Sequence, residues 1–185
     1  MTELDQKKTY AMSLSKLSLV IGGAASGKSA FAEGLVTAAC DRPVYLATSQ
    51  IFDDEMGAKV ARHREMRGAN WITIEEPLDI AAALARAPEG VPVLLDCATL
   101  WLTNVMLGEH DTELAEAAFL SAITGAGRPV VVVSNETGAG IVPDNALARR
   151  FRNAQGKLNQ AIAARADLVV TVIAGLPLVL KGQLP

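Results

Sequence analysis

The sequence is poor in the residues that stabilise secreted proteins or build metal clusters. It has two cysteines, Cys40 and Cys97, with no C-x-x-C spacing among its 185 residues. Isolated cysteines are more often buried thiols than metal ligands or a disulfide, which favours a reducing compartment. The apolar run that follows the polar residues 1–16 is too short for a secretion signal or a membrane span. We therefore expect a cytoplasmic protein without a membrane segment.

The sequence also lacks an excess of basic charge. Its net charge is −3 and its isoelectric point is about 5.4, which does not favour nucleic acid as a partner. Half of the residues are hydrophobic and a fifth are charged, the balance of an ordinary globular protein. There is no repeat, low-complexity tract or linker. We expect residues 1–16 to be a frayed extension and residues 17–185 to form one domain.

The most informative stretch runs from Leu17 to Ser29 and has the sequence LSLVIGGAASGKS. Its apolar start is typical of a buried parallel strand, and the residues that follow it are rich in helix formers. The turn between them fits the phosphate-binding pattern G-x-x-x-x-G-K-[ST] at every fixed position. Such a turn points backbone N–H groups and a helix N-terminus at a polyphosphate. The residues predicted to bind the nucleotide here are Gly22, Gly23, Ala24, Ala25, Ser26, Gly27, Lys28 and Ser29.

Alternating strand and helix patterns continue along the chain. Further strands are predicted at 44–47, 71–74, 91–95, 129–134 and 168–173, and 176–181 is predicted to return as an antiparallel edge. Helices are predicted after the phosphate-binding turn and at 53–66, 78–86, 111–123 and 145–165. Continuous apolar strands separated by helices indicate an α/β fold of the P-loop NTPase type. Its mostly parallel sheet should carry helices on both faces.

Polar residues follow the predicted strands, at the sheet edge where ligands of such folds bind. Asp96 ends the apolar strand VPVLLD, which is the arrangement of a Walker-B carboxylate that holds Mg²⁺ together with the Ser29 hydroxyl. The alternative is that Asp96 caps a helix starting near Leu100. The loop at 134–143 either wraps a ligand or is an ordinary connection, and the residues alone favour neither.

His63 is one of two histidines and shares a predicted helix face with Lys59 and Arg67. A histidine in such a basic stripe can be a solvated surface residue, a phosphate donor, or a nucleophile toward phosphorus. Neighbouring cations lower the pKa of the imidazole and so favour the neutral, nucleophilic ring. The spacing alone leaves these three alternatives open. The second histidine, His110, lies in a polar turn and is predicted to be a surface residue.

Taken in order, several blocks resemble one known family. They are GGAASGKS, YLATSQIFDDEM, RHREMRGANWITIEEP, LLDCATLWLTN and SNETGAGIVPDNALARRFRNAQGKLNQAIAARAD, and they extend over most of the chain. They are similar to the bifunctional adenosylcobinamide kinase / adenosylcobinamide-phosphate guanylyltransferases of cobalamin synthesis. Ala25 stands where that family often has Arg, and Asp96 where some members have Glu.

The resemblance implies two reactions in a homo-oligomeric enzyme. A nucleoside triphosphate phosphorylates adenosylcobinamide, and GMP is then transferred from GTP to the resulting phosphate by way of a guanylyl-histidine. The implied substrates and cofactors are the corrinoid, GTP, ATP and Mg²⁺. The position that matches the family's histidine is His63. The implied nucleotide contacts outside the phosphate-binding turn are Thr48, Ser49, Gln50, Arg64, Glu65, Met66, Arg67, Glu75 and Asp96.

Two other functions remain open at this point. One is a small-metabolite kinase with a single activity, in which His63 has no chemical role. The other is a GTP-binding switch without an acceptor substrate. The sequence has no N-K-x-D guanine motif, which argues against the switch.

Overall fold

The computed structural model of the chain describes residues 13–50 and 70–185. Its strands are β1 (Leu17–Gly22), β2 (Val44–Ala47), β3 (Ile72–Glu75), β4 (Val93–Asp96), β5 (Val130–Asn135), β6 (Leu168–Ile173) and β7 (Leu176–Lys181). Its described helices are α1 (Lys28–Ala39), α2 (Ile80–Arg86), α3 (Ala98–Leu107), α4 (Thr112–Thr124) and α5 (Ala146–Arg165).

The seven strands form one sheet in the order β3-β2-β4-β5-β1-β6-β7. Every neighbouring pair is parallel except β6 and β7, which are antiparallel. The predicted mostly parallel sheet with an antiparallel edge is therefore confirmed. Because β1 lies between β5 and β6, the turn that follows Gly22 emerges near the middle of the sheet.

Both faces of the sheet are covered, as the apolar strands predict. On one face α1 packs its buried Ala32, Leu35 and Val36 against side chains from the middle of the sheet. The other face carries the larger core, to which α2, α3, α4 and α5 contribute. Trp101 of α3 and Phe119 of α4 lie in that core with ring centroids 4.3 Å apart. The two cores fix the sheet between its layers of helices. Because β1 to β6 are parallel, their carboxyl ends lie at the same edge of the sheet.

The predicted bounds of β2, β6 and β7 agree with the structure, and those of the other strands are shifted by one or two residues. Predicted strands 91–95 and 129–134 begin at Val93 and Val130 because a proline precedes each of these residues and lacks the ladder N–H. The predicted helix 78–86 begins at Ile80 since Asp79 caps it, accepting from Ala82 N at 2.9 Å. The predicted helix 53–66 lies outside the described residues.

The start of the described chain is already tied to the sheet. The carbonyl of Lys16 accepts a hydrogen bond from Val130 N at 2.9 Å, and the division into an extension at 1–16 and a domain at 17–185 stays a prediction. Residues 1–12 of that extension lie outside the described part. Within residues 13–50 and 70–185, no helix combines the length and apolar character needed to cross a bilayer.

Candidate functional site

The turn between β1 and α1 has the backbone of a phosphate cradle. Ala25 and Gly27 have φ angles of 53° and 91°, in the left-handed region, and Gly23, Ala24 and Ala25 are exposed. Gly27 is the N-cap of α1, so the first-turn N–H groups of this helix have no acceptor within the helix. Together with the helix dipole, these donors favour an anion at the turn.

The base of the turn is packed tightly. A Cβ atom on Gly22 would overlap Ser26 Oγ and would lie 2.6 Å from the carbonyl oxygen of Val172 in β6. Ser26 Oγ is buried and has no hydrogen-bond partner within the described part of the chain. The cradle and this orphan hydroxyl fit a bound polyphosphate, because an anion supplies acceptors to donors that otherwise have none.

Lys28 reaches back over the turn that it follows. Its Nζ donates a hydrogen bond to the carbonyl oxygen of Gly23 at 3.1 Å, which holds the ammonium group above the exposed residues of the loop. Its positive charge also lowers the pKa of Cys97, while the negative charge of Asp96 raises it. The charges of Lys28 and Asp96 therefore both act on Cys97, which follows β4 at the carboxyl edge of the sheet.

Asp96 is held at the end of β4 by a hydrogen bond from the side chain of Tyr45, whose hydroxyl lies 2.6 Å from Asp96 Oδ2. Asp96 does not cap the following helix. The N-cap of α3 is Cys97, whose Sγ accepts from Leu100 N at 3.5 Å, so the helix-cap alternative is wrong. The partly buried carboxylate thus lies at the edge where a Walker-B ligand is expected.

Cys97 is buried, as predicted for an isolated cysteine, and both cysteines are free thiols. Burial raises the pKa of Cys97 from 9.0 to about 12, and the negative charge of Asp96 adds to this effect. Hydrogen bonds from the backbone of α3 and the charge of Lys28 oppose it in part. Cys97 is therefore a neutral cap and packing residue at physiological pH.

The predicted nucleotide contacts after β2 occupy different environments. Thr48 is fully buried, and its hydroxyl donates to Cys97 O at 2.8 Å and accepts from Cys97 N at 2.9 Å. The amide of Asn104 in α3 donates to Thr48 O at 2.7 Å. Thr48 therefore joins β2 to the start of α3. Ser49 and Gln50 are half-buried next to it, and as nucleotide contacts all three remain predictions.

Glu75 lies farther from the phosphate-binding turn than the sequence suggests. It ends β3, the outermost strand, four strand positions from β1, or about 19 Å at the usual strand spacing. Its side chain is exposed, and its backbone carbonyl accepts from Arg86 Nη2 at 3.2 Å. Adjacent Glu76 forms an ion pair with Arg86 at 3.5 Å. The sheet alone does not bring Glu75 to the turn.

The remaining predicted residues of the site are His63, Arg64, Glu65, Met66 and Arg67, and they lie outside the described residues. The described chain stops at Gln50, at the carboxyl end of β2, and resumes at Asn70 before β3. His110 is exposed in the connection between α3 and α4, which confirms its prediction as a surface residue.

The loop after β5 begins beside the phosphate-binding turn. Asn135 pairs with Gly22 across β5 and β1, and Glu136 N donates to Gly22 O at 3.0 Å. The carboxylate of Glu136 accepts from Gly138 N at 2.7 Å and Ala139 N at 3.0 Å, so it shapes its own loop. Ile141, farther along this loop, is 97% exposed.

A buried polar cluster behind this loop has no counterpart in the predicted site. Ser134 Oγ donates to Asn159 Oδ1 at 2.6 Å, Gln155 Nε2 donates to Ser134 Oγ at 2.9 Å, and Asn159 Nδ2 donates to Asn135 O at 3.0 Å. The cluster joins α5 to the end of β5. A signal for it existed, because Gln155 occupies the helix face of Leu158 and Ile162, where an apolar residue is expected.

The hairpin between β6 and β7 also contacts the phosphate-binding turn. Gly175 N donates to Ser26 O at 2.8 Å, and a Cβ on Gly27 would lie 3.1 Å from Gly175 Cα. The turn is therefore held from β5 on one side and from β6 and β7 on the other. Sequence reasoning did not identify the hairpin as part of the site, because strand order is not readable from one sequence.

Known proteins resemble this chain over most of its length. "Bifunctional adenosylcobalamin biosynthesis protein CobP" of Pseudomonas aeruginosa is 45% identical over 168 residues, covering 89% of this chain and 97% of the relative. The corresponding CobU protein of Salmonella typhimurium is 41% identical over 180 residues, covering 88% and 98%. An ATPase from a type III secretion system shares the fold alone, with a TM-score of 0.52 at 10% identity over 85% of this chain and 51% of that one.

A family model also matches most of the chain. Residues 18–180 fit the family described as cobinamide kinase / cobinamide phosphate guanyltransferase. That range runs from β1 to β7 and includes the phosphate-binding turn, Asp96 and the loop after β5. The chain therefore belongs to the cobinamide kinase / cobinamide phosphate guanyltransferase family and is an enzyme of that family.

Proposed function

We propose that this enzyme catalyses two successive reactions at a nucleotide site built on the turn between β1 and α1. In the first, a nucleoside triphosphate such as ATP or GTP phosphorylates the aminopropanol hydroxyl of adenosylcobinamide. In the second, GMP passes from GTP to adenosylcobinamide phosphate, giving adenosylcobinamide-GDP and pyrophosphate. The observation that carries the proposal is the complete phosphate cradle within a chain that matches this family from 18 to 180.

The cradle supports a role in holding the β- and γ-phosphates, which become pyrophosphate in the second reaction. Gly23, Ala24 and Ala25 are exposed, α1 begins at Lys28, and Lys28 Nζ lies 3.1 Å from Gly23 O, so donor and positive groups are concentrated at the turn. Ser29 and Asp96 supply the side-chain oxygens that would hold Mg²⁺ at this edge. When bound, that ion neutralises phosphate charge.

His63 is the proposed nucleophile. A neutral ring nitrogen attacks the α-phosphorus of GTP, the bond from that phosphorus to the bridging oxygen breaks, and the electron pair leaves with pyrophosphate. A phosphate oxygen of the corrinoid then attacks the same phosphorus, and the P–N bond breaks with its electron pair returning to the imidazole. One difficult displacement is thereby divided into two easier ones.

The length of the chain permits this role. β2, where the described chain stops at Gln50, lies three strand positions from β1, or about 14 Å at the usual spacing. His63 lies thirteen residues beyond Gln50. Even at the helical rise of about 1.5 Å per residue, thirteen residues extend about 20 Å. The chain between Gln50 and His63 is therefore long enough to bring the imidazole from the end of β2 to the phosphate-binding turn.

The first reaction places fewer demands on the protein. Phosphoryl transfer depends mainly on positioning and charge neutralisation, so Lys28 and the loop amides would hold the γ-phosphate, and Mg²⁺ held by Ser29 and Asp96 would neutralise its charge. We also infer from the resemblance that the chain forms a homo-oligomer. Sedimentation of the purified protein tests that inference directly.

Labelling with GTP tests the proposal and separates it from its rivals. The wild type, incubated with GTP that carries radioactive phosphorus in the α-position, should gain a label that acid removes and alkali does not. His63→Ala should lose the label entirely. His110→Ala is the matched control and should label normally, because His110 is the exposed surface histidine.

Label release distinguishes the two reactions. Adding adenosylcobinamide phosphate to the labelled enzyme should discharge the adduct into adenosylcobinamide-GDP. A wild type that phosphorylates adenosylcobinamide but never becomes labelled would reduce the function to a single-activity kinase. A wild type that binds and hydrolyses GTP but modifies neither adenosylcobinamide nor adenosylcobinamide phosphate would support the GTP-binding switch.

A further inference from the structure

The residue at the end of β5, Asn135, lies between the two parts of the candidate site. The neighbours of β5 in the sheet are β1, which leads into the phosphate-binding turn, and β4, which ends at Asp96. Asn135 pairs with Gly22, the first residue of that turn. Asp96 pairs with Val133, so Asn135 lies two residues, or about 7 Å, farther along the sheet than Asp96. Asn135 is therefore next to the turn and just beyond the carboxylate.

The side chain of Asn135 lies on the face of the sheet that carries α1. Side chains alternate between the two faces along a strand, and Val131 and Val133 of β5 both pack in the core under α1. Ser134, which separates Val133 from Asn135, is hydrogen-bonded to side chains of α5 on the opposite face. The alternation therefore returns Asn135 to the α1 face.

Asp96 and Lys28 lie on this same face. Leu94 of β4 packs in the core under α1, so Asp96, two residues later, has its side chain on that face as well. Tyr45, whose hydroxyl donates to Asp96, belongs to the same core. Lys28 is the first residue of α1. The ammonium group, the carboxylate and the amide of Asn135 are thus on one face at one edge of the sheet.

The backbone of Asn135 is held by two helices of the opposite face. Its N–H donates to Thr99 Oγ1 of α3 at 2.8 Å, and its carbonyl oxygen accepts from Asn159 Nδ2 of α5 at 3.0 Å. The side-chain amide of Asn135 is half-buried and forms no hydrogen bond with any residue in the ranges 13–50 and 70–185. A fixed backbone that presents a free amide is the arrangement expected of a residue that binds a reacting group.

We propose that Asn135 is a catalytic residue of the first reaction, in which its side-chain amide donates to the phosphoryl group during transfer. This role rests on the proposed function, since it needs a nucleoside triphosphate in the turn. A γ-phosphate held between the turn and Asp96 lies next to Asn135. The amide is a neutral donor, so it contributes a hydrogen bond without the repulsion that a second carboxylate would bring.

The chemistry of the two reactions makes the role specific to the first. There the hydroxyl oxygen of adenosylcobinamide attacks the γ-phosphorus, and the bond from that phosphorus to the bridging oxygen breaks, its electron pair leaving with the nucleoside diphosphate. The hydroxyl proton passes to the new phosphate monoester and from it to water. Charge spreads over the equatorial oxygens of the transferring group, where a fixed donor stabilises the transition state. In the second reaction the bond that breaks is one phosphate farther away, so the same donor contributes little.

Comparing the two reactions in one variant tests this role. Asn135→Ala should phosphorylate adenosylcobinamide with a kcat lowered about a hundredfold, the usual effect of losing one transition-state donor. Its Kd for ATP in calorimetry, and its rate of labelling by GTP with radioactive α-phosphorus, should both stay within about threefold of the wild type. Asn135→Asp keeps the shape of the side chain but replaces the donor by a charge, so it should be at least as slow in phosphorylation.

Asn153→Ala is the matched control and should keep the wild-type kcat, because Asn153 is exposed on α5. Both Asn135 variants should melt at the wild-type temperature, since the amide has no hydrogen bond to lose. Three results would overturn the role. They are an unchanged kcat in Asn135→Ala, a rise in the KM for ATP alone, and an equal loss in both reactions, which means that Asn135 only shapes the turn. A wild type that does not phosphorylate adenosylcobinamide refutes the proposed function itself.

Discussion

Replacing Gly22 by alanine tests the packing at the base of the phosphate-binding turn. The added methyl carbon would overlap Ser26 Oγ and would lie 2.6 Å from Val172 O. Ser26 can rotate its hydroxyl away, but the carbonyl of Val172 belongs to β6, which is hydrogen-bonded to β1. The clash can be relieved only if the turn or the paired strands move.

The free energy that this movement costs can be estimated from the usual cost of overpacking. Overpacking of a tightly packed site costs about 1–3 kcal/mol, so we expect Gly22→Ala to lose about 2 kcal/mol of unfolding free energy. In a chain of this length that loss lowers the melting temperature by about 4–8 °C. Urea denaturation and thermal scans measure the change. Calorimetry should show weaker tripolyphosphate binding as well, since the cradle is displaced.

Gly23 provides the matched control for this substitution. It is the next residue, nothing lies within 4 Å of its added Cβ, and its φ is outside the left-handed region. Gly23→Ala should leave the free energy of unfolding unchanged or raise it by about 0.5 kcal/mol through the unfolded state. If Gly22→Ala and Gly23→Ala unfolded at the same urea concentration, the explanation would be contradicted, because the contact between β6 and Gly22 would then have no effect on stability.

Four further predictions concern the surroundings of the site. Cys97, with its pKa raised to about 12, should resist alkylation in the native protein while half-buried Cys40 reacts, and mass spectrometry after labelling shows which is modified. The stability that Cys97 contributes is complete below about pH 9 and is lost as pH rises from about 9 toward 12, which urea titrations across that range measure. Thr48→Val should cost about 2 kcal/mol of unfolding free energy, because both backbone groups of Cys97 lose their buried partner, whereas exposed Thr73→Val on β3 should cost almost nothing. Asn145→Ala removes the cap of α5 and should cost about 1 kcal/mol in the same assay.

The sequence predicted most elements of the fold because the strands are continuous apolar runs with clear turn signals. β6 and β7 were predicted with their observed bounds, since Gly175 and Pro177 mark the hairpin between two apolar segments. Helix starts were less accurate, because a cap such as Asp79 is decided by one side chain. The order of the strands in the sheet is set by tertiary contacts and could not be predicted from the sequence. That order puts β3, which ends at Glu75, four strand positions from β1 and the phosphate-binding turn.

The candidate phosphate-binding turn was predictable because its motif is local in the sequence. The turn from Gly22 to Ser29 carries its motif in eight consecutive residues, and its backbone has the expected form. The partner of the Thr48 hydroxyl was not predictable in this way, because Cys97 lies 49 residues away in the sequence. The contacts of Gly175 with Ser26 have the same long-range origin, and no local pattern encodes them.

The contact of the hairpin between β6 and β7 with the phosphate-binding turn makes the turn depend on a distant part of the chain. The Gly175 N–H donates to Ser26 O, and these two residues are 149 positions apart in the sequence. A substitution or a proteolytic cut in the hairpin is therefore expected to loosen the backbone of the turn although its motif is untouched.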